Sequence, residues 1–139
     1  MKTVMIFGTF DIVHFGHIHM FEEAKAYGDR LVVVVARDAN AEKIKGMAPF
    51  HSEKERKGLL TYISLADEVV LGDKNDPYKI ISHIKPDIIA LGYDQKVFVD
   101  KLVHAISDFK LEIRIVRLSA WKPEKFKTSK IRRYIEKVT

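Results

Sequence analysis

The apolar residues of this chain fall into five short runs, separated by segments in which apolar residues recur at helical spacing. The runs cover residues 3–7, 31–36, 69–71, 88–91 and 112–118. A continuous run of β-branched residues such as 31–36 is typical of a strand buried on both faces of a parallel sheet. The last run alternates isoleucines with charged residues, which predicts a strand at the edge of that sheet.

Helices are predicted between these strands. One begins near His14 and extends to Gly28, a residue that suits the left-handed position after a helix. Ser52 and Glu55 form a capping-box pattern at the start of another helix, and Pro77 suits the first helical position of the next. Two further helices are predicted from apolar spacing: Phe98, Leu102, Ala105 and Phe109 in one, and Ile131, Ile135 and Val138 in the other, with Thr128 or Ser129 as its cap.

Strands that alternate with helices predict an α/β fold. We expect a doubly wound, five-stranded parallel sheet with helices on both faces, in a single domain that spans residues 1–139. Ligands bind such a sheet at the carboxyl ends of the strands, where the strand order reverses. If the first and fourth strands are neighbours, the loop after the first strand faces residues 92–95. Residues 37–50 are predicted to form a long polar loop at the same edge.

The loop after the first strand carries the clearest candidate chemistry. Residues 8–17 read Gly-Thr-Phe-Asp-Ile-Val-His-Phe-Gly-His and lead from a strand into a helix. Unpaired backbone N–H groups and the helix dipole favour anions at such a helix start. His14 and His17 are three residues apart, so both imidazoles lie on one side of the first turn. Gly16 between them leaves room for a ligand close to the backbone.

Composition narrows the class of function. The formal net charge of +5 favours anionic ligands. The sequence contains no cysteine, which excludes disulfides, thiolate nucleophiles and cysteine metal sites. No apolar run approaches the roughly 20 residues that a membrane span requires, and the start of the chain lacks the pattern of a secretory signal. We therefore expect a cytoplasmic protein without a membrane partner.

The motif of residues 8–17 resembles the signature of the cytidylyltransferase-like nucleotidylyltransferases. The resemblance extends along the chain through Lys45, His51-Ser52 with Arg56, residues 67–69 and residues 128–131, which occur in the order typical of that family. It implies a Rossmann-like fold. It also implies transfer of a nucleotidyl group from a nucleoside triphosphate, with release of pyrophosphate.

Two groups of that family are similar to this chain. Glycerol-3-phosphate cytidylyltransferases carry Arg-Tyr-Val-Asp-Glu-Val, where residues 64–69 read Ser-Leu-Ala-Asp-Glu-Val. They also carry Arg-Thr-x-Gly-Ile-Ser-Thr-Thr, where residues 125–130 read Lys-Phe-Lys-Thr-Ser-Lys. Residues 35–38, 43–46 and 91–95 instead resemble the small, archaeal-type FAD synthases. This resemblance implies transfer of AMP from ATP to FMN, and transfer from CTP to glycerol 3-phosphate is the alternative.

The predicted site combines residues from several loops. The resemblance implies that ATP binds to Thr9, Phe10, His14, Phe15, Gly16, His17 and Asp94, and Thr128 and Ser129 are further candidates for its β- and γ-phosphates. His14, His17 and Lys45 are the expected catalytic residues, with Lys45 on the mobile loop after the second strand. We expect Mg²⁺ or another divalent cation to bind mainly through phosphate oxygens, because the sequence shows no dedicated protein ligands. A homodimer is expected by analogy.

Some assignments stay open at this point. Asp11 is interpreted as orienting either the loop or a metal-bound water. Arg56 is interpreted as part of a solvated helix face, although it has a family counterpart, and contact with phosphate is the alternative. Phe50 is expected in the core, and the candidates for contact with a flavin ring are Tyr93, Phe98, Trp121 and Phe126.

The alternative class of function is a non-catalytic binding module. Such a module would bind nucleic acid through basic residues 122–133. Nucleic-acid grooves combine basic residues with exposed aromatic residues. That segment lacks such interleaving, so we expect no nucleic-acid partner.

Overall fold

A five-stranded parallel sheet forms the centre of the protein. The computed structural model describes residues 1–93, 95, 99–119 and 128–138. The strands are β1 (Thr3–Gly8), β2 (Arg30–Val35), β3 (Glu68–Leu71), β4 (Ile88–Leu91) and β5 (Arg114–Arg117). Their order in the sheet is β3-β2-β1-β4-β5. This arrangement confirms the predicted doubly wound α/β fold, including the edge position of the last strand.

Six helices are described around the sheet. They are α1 (Phe15–Lys25), α2 (Asp38–Lys45), α3 (Glu53–Leu60), α4 (Lys79–Ile84), α5 (Val99–Asp108) and α6 (Thr128–Val138). The predicted capping box at Ser52 and Glu55 is present at the start of α3. Pro77 lies before α4 rather than in its first position, and Thr128 is the first residue of α6 rather than its cap. No helix in the described residues is long and apolar enough to span a bilayer.

Apolar residues fill the space on both faces of the sheet, as expected for a doubly wound fold. On one face, Phe21 of α1 and Leu60 of α3 pack with Ile6 and Val33 of the central strands. On the other face, residues of α4 and α5 pack with the alternate positions of the same strands: Ile81, Leu102 and Ile106 with Met5, Val32 and Val34. Because successive side chains of a strand point to opposite faces, the two apolar layers alternate along each central strand.

The strand order reverses between β1 and β4. β1 pairs with β2 on one side and with β4 on the other, and Val4, Met5 and Ile6 lie opposite residues 88–90. The helix that follows β1 lies on one face of the sheet and the helix that follows β4 lies on the other. β1 and β4 are thus neighbours, as predicted, and in sheets of this kind ligands bind between the carboxyl ends of such strands.

Two further local predictions, for residues 37–50 and for Gly28, were wrong. Residues 37–50 are not one irregular loop, since residues 38–45 form α2, which ends at Gly46 with a φ of 75°. Ala41 is the buried residue of this helix, and the other residues of the helix are mostly polar. Gly28 is not left-handed either. A Cβ at Gly28 would lie 2.8 Å from the carbonyl oxygen of Lys2, so close packing explains the glycine.

Candidate active site

The loop from β1 to α1 is tightly folded around Phe10. Phe10 has a φ of 51°, which is uncommon for a residue with a Cβ. Its ring is buried and packs edge-on against both His17 and Phe21. A Cβ at Gly8 would lie 2.7 Å from the same ring, so only glycine fits beneath it. The motif thus places Phe10 behind His17, as a support for the imidazole.

His14 and His17 form the N-terminal cap of α1. Nδ1 of His14 accepts a hydrogen bond from the backbone N–H of Gly16 at 3.1 Å. Nδ1 of His17 accepts one from the backbone N–H of His14, also at 3.1 Å. The two imidazoles thus form a capping box. His14 occupies the N-cap position, where Ser or Thr is common, and His17 occupies the third helical position, where Glu or Gln is common. Their ring centroids are 4.1 Å apart.

This arrangement fixes the tautomer of both rings. A neutral imidazole has one donor nitrogen and one acceptor nitrogen. Because Nδ1 is the acceptor in both rings, each neutral histidine carries its proton on Nε2. Burial lowers the pKa of His17 to about 3, with further contributions from the charges of His14 and Lys45, and burial also lowers the pKa of His14. At neutral pH the pair therefore presents two Nε2–H donors without a positive charge.

Three backbone N–H groups of this turn already have hydrogen-bond acceptors within the protein. The N–H groups of His14 and Gly16 donate to the imidazoles, and that of His17 donates to the carbonyl of His14 at 3.0 Å. These N–H groups are therefore engaged within the cap, and Nε2 is the ring nitrogen of each imidazole that the cap does not use.

Lys45 lies close enough to His17 for its charge to lower the pKa of the imidazole. It is the last residue of α2, and its side chain is exposed. This position differs from the predicted mobile loop, because a helix ending at the left-handed Gly46 carries the lysine. The structure therefore places the three predicted catalytic residues His14, His17 and Lys45 in one region.

Asp11 fixes the segment that follows α2. Its carboxylate is buried and accepts hydrogen bonds from the backbone N–H groups of Phe50 at 2.7 Å and His51 at 2.9 Å. Nδ1 of His51 lies 3.2 Å from the same carboxylate. Asp11 thus attaches the loop of residues 8–17 to the segment before α3.

Arg56 is buried rather than solvated, so the interpretation as an exposed helix face was wrong. Its guanidinium donates to the carbonyl of His51 at 3.1 Å, to the carbonyl of Thr9 at 2.7 Å and to the carboxylate of Asp38 at 2.7 Å. These bonds connect the loop of residues 8–17, called the signature loop below, with α2 and with the segment before α3. The fork geometry of a guanidinium suits such a three-way connection, which a lysine could not reproduce.

The β4 side of the crevice is held by Gln95. Its side-chain amide donates to the carbonyl of Phe7 at 2.8 Å, and its side-chain oxygen accepts the N–H of Gly92 at 2.7 Å. Arg117 donates to the carbonyls of Gly92 and Gln95, both at 2.8 Å. These bonds join the carboxyl ends of β1 and β4, between which the strand order reverses. The predicted ligand residue Asp94 lies outside the described residues.

The other predicted ATP contacts occupy different parts of the structure. Phe15 is an exposed residue in the first turn of α1. Thr9 lies in the loop before α1, where its carbonyl accepts a hydrogen bond from Arg56. Thr128 and Ser129 are the first two residues of α6. An open cavity of about 410 Å³ lies elsewhere, between the ends of β2 and β3 and the start of α4, with Arg37, Lys74, Lys79 and His83 among its lining residues.

The family model described as cytidylyltransferase-like matches residues 5–134. The chain belongs to the cytidylyltransferase-like family. The matched range includes residues 8–17 and therefore both His14 and His17.

Relatives within this family are similar over nearly the whole chain. A protein named FAD synthase from Thermoplasma volcanium is 41% identical over 97% of this chain and 94% of its own length. Another FAD synthase, from Archaeoglobus profundus, is 44% identical over 86% of this chain and 76% of its own length. A crystal structure titled as a lipopolysaccharide core biosynthesis protein from Thermoplasma volcanium is 43% identical, with a TM-score of 0.81, and covers 88% of this chain and 99% of its own.

In this family member, the described residues contain no group of three or more histidine, cysteine, aspartate or glutamate side chains that could hold a metal ion. Asp11 is the carboxylate of the signature loop, and its oxygens accept N–H groups of Phe50 and His51.

Proposed function

We infer that the protein is an FAD synthase that transfers AMP from ATP to FMN and releases pyrophosphate. The observation that carries this inference is the pair of neutral Nε2–H donors at the family's signature loop, in a chain 41% identical to a protein named FAD synthase. The topology places this loop opposite β4 across the crevice. The protein is thus a nucleotidyltransferase whose acceptor is a flavin nucleotide.

In the proposed reaction, a terminal phosphate oxygen of FMN attacks the α-phosphorus of ATP. A new P–O bond forms as the bond to the bridging oxygen of pyrophosphate breaks, and pyrophosphate carries the electron pair away. The FMN phosphate is largely ionised at neutral pH, so the reaction needs no strong general base. Positioning and electrostatic stabilisation therefore supply most of the rate enhancement.

His14 and His17 are proposed to donate from Nε2 to oxygens of the α- and β-phosphates. Such donors need no reorganisation during the reaction, because both rings are already fixed through Nδ1. A neutral donor costs less to bury than a charged one and becomes more effective as negative charge accumulates on the leaving group. Lys45 would supply the positive charge, either to the FMN phosphate or to the triphosphate.

The remaining predicted contacts stay proposals for the ATP site. We propose that Thr9, Phe15 and Gly16 line the triphosphate side through the loop, that Phe10 acts by supporting His17, and that Asp94 accepts hydrogen bonds from ribose or base. Thr128 and Ser129 are proposed to contact the β- and γ-phosphates at the start of α6. Mg²⁺ or another divalent cation would be held mainly by the phosphates and would neutralise their charge.

The proposed function is tested by incubating the purified protein with FMN, ATP and Mg²⁺ and separating the flavins by chromatography. We expect FAD and pyrophosphate in equal amounts, with no product after chelation of the divalent cation. A parallel reaction with CTP and glycerol 3-phosphate tests the alternative substrates. Reaction of that pair, with no FAD formed in the first mixture, would assign the protein to the cytidylyltransferases instead.

A further inference from the structure

Phe50 presents its ring to solvent, contrary to its predicted place in the core. Its relative exposure is 76%, although the segment around it is firmly attached to the protein. The backbone N–H of Phe50 donates to the buried carboxylate of Asp11 at 2.7 Å. The exposed ring is therefore carried by a fixed backbone position rather than by a loose loop.

The ring of Phe50 is also supported from one side. It packs against the imidazole of His51 at a centroid distance of 4.8 Å and an angle of 88°. His51 in turn donates its backbone N–H to Asp11 at 2.9 Å, and its carbonyl accepts from Arg56 at 3.1 Å. The edge-to-face contact restricts the ring, and the exposure of 76% shows that most of its surface stays accessible. The protein thus holds a flat apolar surface beside its signature loop.

The position of Phe50 relates it to the acceptor rather than to ATP. The segment of residues 46–52 connects α2, which ends at Lys45, to α3, and it reaches the signature loop from the β2 side of β1. The crevice proposed for the nucleotide opens on the opposite side of β1, toward β4 and residues 92–95. A molecule that approaches the phosphates from the β2 side would pass over Phe50.

We propose that Phe50 is the residue on which the isoalloxazine ring of the acceptor stacks, and that it thereby determines specificity for a flavin. This proposal rests on the proposed function. Isoalloxazine is a large, planar and electron-poor ring system, and an exposed aromatic face is a suitable partner for it. The FMN phosphate would then extend toward Lys45 and the imidazole pair, while the ring stays outside the phosphate site.

Steady-state kinetics of Phe50→Ala, Phe50→Leu and Phe50→Tyr test the proposal, with Tyr62→Ala as the matched control. Tyr62 is 89% exposed and lies in the turn after α3, so its truncation removes a comparable ring away from the site. We expect Phe50→Ala to raise KM for FMN roughly tenfold, in line with the loss of one stacked aromatic contact, and to leave KM for ATP unchanged. Phe50→Leu should resemble Phe50→Ala, whereas Phe50→Tyr and Tyr62→Ala should resemble the wild type.

A rise in KM for ATP instead of FMN would overturn the proposal in favour of an adenine contact. Unchanged constants for both substrates would overturn it as well. A full effect of Phe50→Ala that Phe50→Leu restores would show that apolar bulk, rather than stacking, is required.

Flavin fluorescence provides a readout that does not depend on turnover. Tryptophan quenches a stacked flavin by electron transfer, whereas phenylalanine does not. In a titration of FMN with the Phe50→Trp variant, we expect bound FMN to be much less fluorescent than on the wild type. Equal fluorescence on both proteins, or no binding of FMN to either, would contradict the proposal. If FMN binds and is quenched while no FAD forms, the stacking proposal stands and the proposed reaction fails.

Discussion

The backbone N–H of His14 donates a hydrogen bond to Nδ1 of His17 at 3.1 Å, and this bond links the start of α1 to the proposed chemistry. Glutamate or glutamine usually occupies the third position of a capping box. With histidine there, one nitrogen of the ring caps the helix and the other remains as a donor. Helix capping and the proposed phosphate contact thus involve the same side chain.

Replacement of His17 should separate these two roles. We expect His17→Gln to keep the capping acceptor and the wild-type stability, and His17→Ala to lose about 1 kcal/mol of the free energy of unfolding. His17→Ala should lose about 100- to 1000-fold in kcat, the usual cost of one missing donor to a charged transition state. His17→Gln should also lose activity, because an amide whose oxygen caps the helix does not place its N–H where the imidazole places Nε2. Pyrophosphate release and urea unfolding measure the two effects. His19→Ala, on the same helix, serves as the control, and wild-type kcat in either His17 variant would contradict the assignment.

The tautomers can be observed directly by NMR. Long-range correlations between ring protons and ring nitrogens should show both His14 and His17 with the proton on Nε2 in the free protein at neutral pH. Because burial and the charges of His14 and Lys45 lower the pKa of His17 to about 3, its signals should not titrate between pH 5 and pH 8. A midpoint near 6.5 for His17 would contradict the structure.

The same lowered pKa predicts how stability depends on pH. His17 has a pKa of about 3 in the folded state and its usual value of 6.5 when unfolded, so the unfolded state binds more protons between these values. The contribution of neutral His17 is therefore complete above pH 6.5 and is lost as pH falls toward 3. Relative to His17→Gln, the wild-type protein should become progressively less stable over that range. A constant difference in the free energy of unfolding would rule out this linkage.

Much of the fold follows from the sequence because its strands are continuous apolar runs and its helices have clear starts. The site is less predictable. Phe50 and Arg56 depend on tertiary partners, since Asp11 fixes the first at a distance of 39 residues and the Thr9 carbonyl binds the second at a distance of 47. From the sequence alone, the charge of Arg56 predicts a position in solvent, and the apolar ring of Phe50 predicts a position in the core. The sequence does not predict the helix of residues 38–45, because most of its residues are polar and Ala41 is its buried residue.

Asp11 is expected to act by ordering the segment that carries Phe50. Asp11→Asn preserves the shape of the side chain but replaces one acceptor oxygen with a donor, so it cannot accept both backbone N–H groups. The exchange of the amide protons of Phe50 and His51 should accelerate by about tenfold or more, which corresponds to the loss of one charge-assisted hydrogen bond. Hydrogen exchange followed by NMR measures this effect. Unaltered protection of both amides would show that the loop does not depend on Asp11.

Arg56 should contribute strongly to stability. Arg56→Met retains much of the apolar volume but leaves the carbonyls of Thr9 and His51 without their donors, and we expect a loss of about 2–4 kcal/mol in the free energy of unfolding. Urea unfolding of Arg56→Met beside Arg133→Met provides the comparison, because Arg133 is exposed on α6. The control should change by less than about 0.5 kcal/mol. Equal stability of the two variants would contradict the role of Arg56 in joining the loops.

The most direct test of the account is a competition in one reaction mixture that contains FMN, Mg²⁺ and equal concentrations of ATP and CTP. Mass spectrometry identifies the flavin product and a coupled assay counts the pyrophosphate released. We predict FAD as the product, with one pyrophosphate for each FMN consumed and a loss of both in His17→Gln. A cytidine-containing flavin, or consumption of ATP without formation of FAD, would contradict the proposal that this protein joins AMP to FMN.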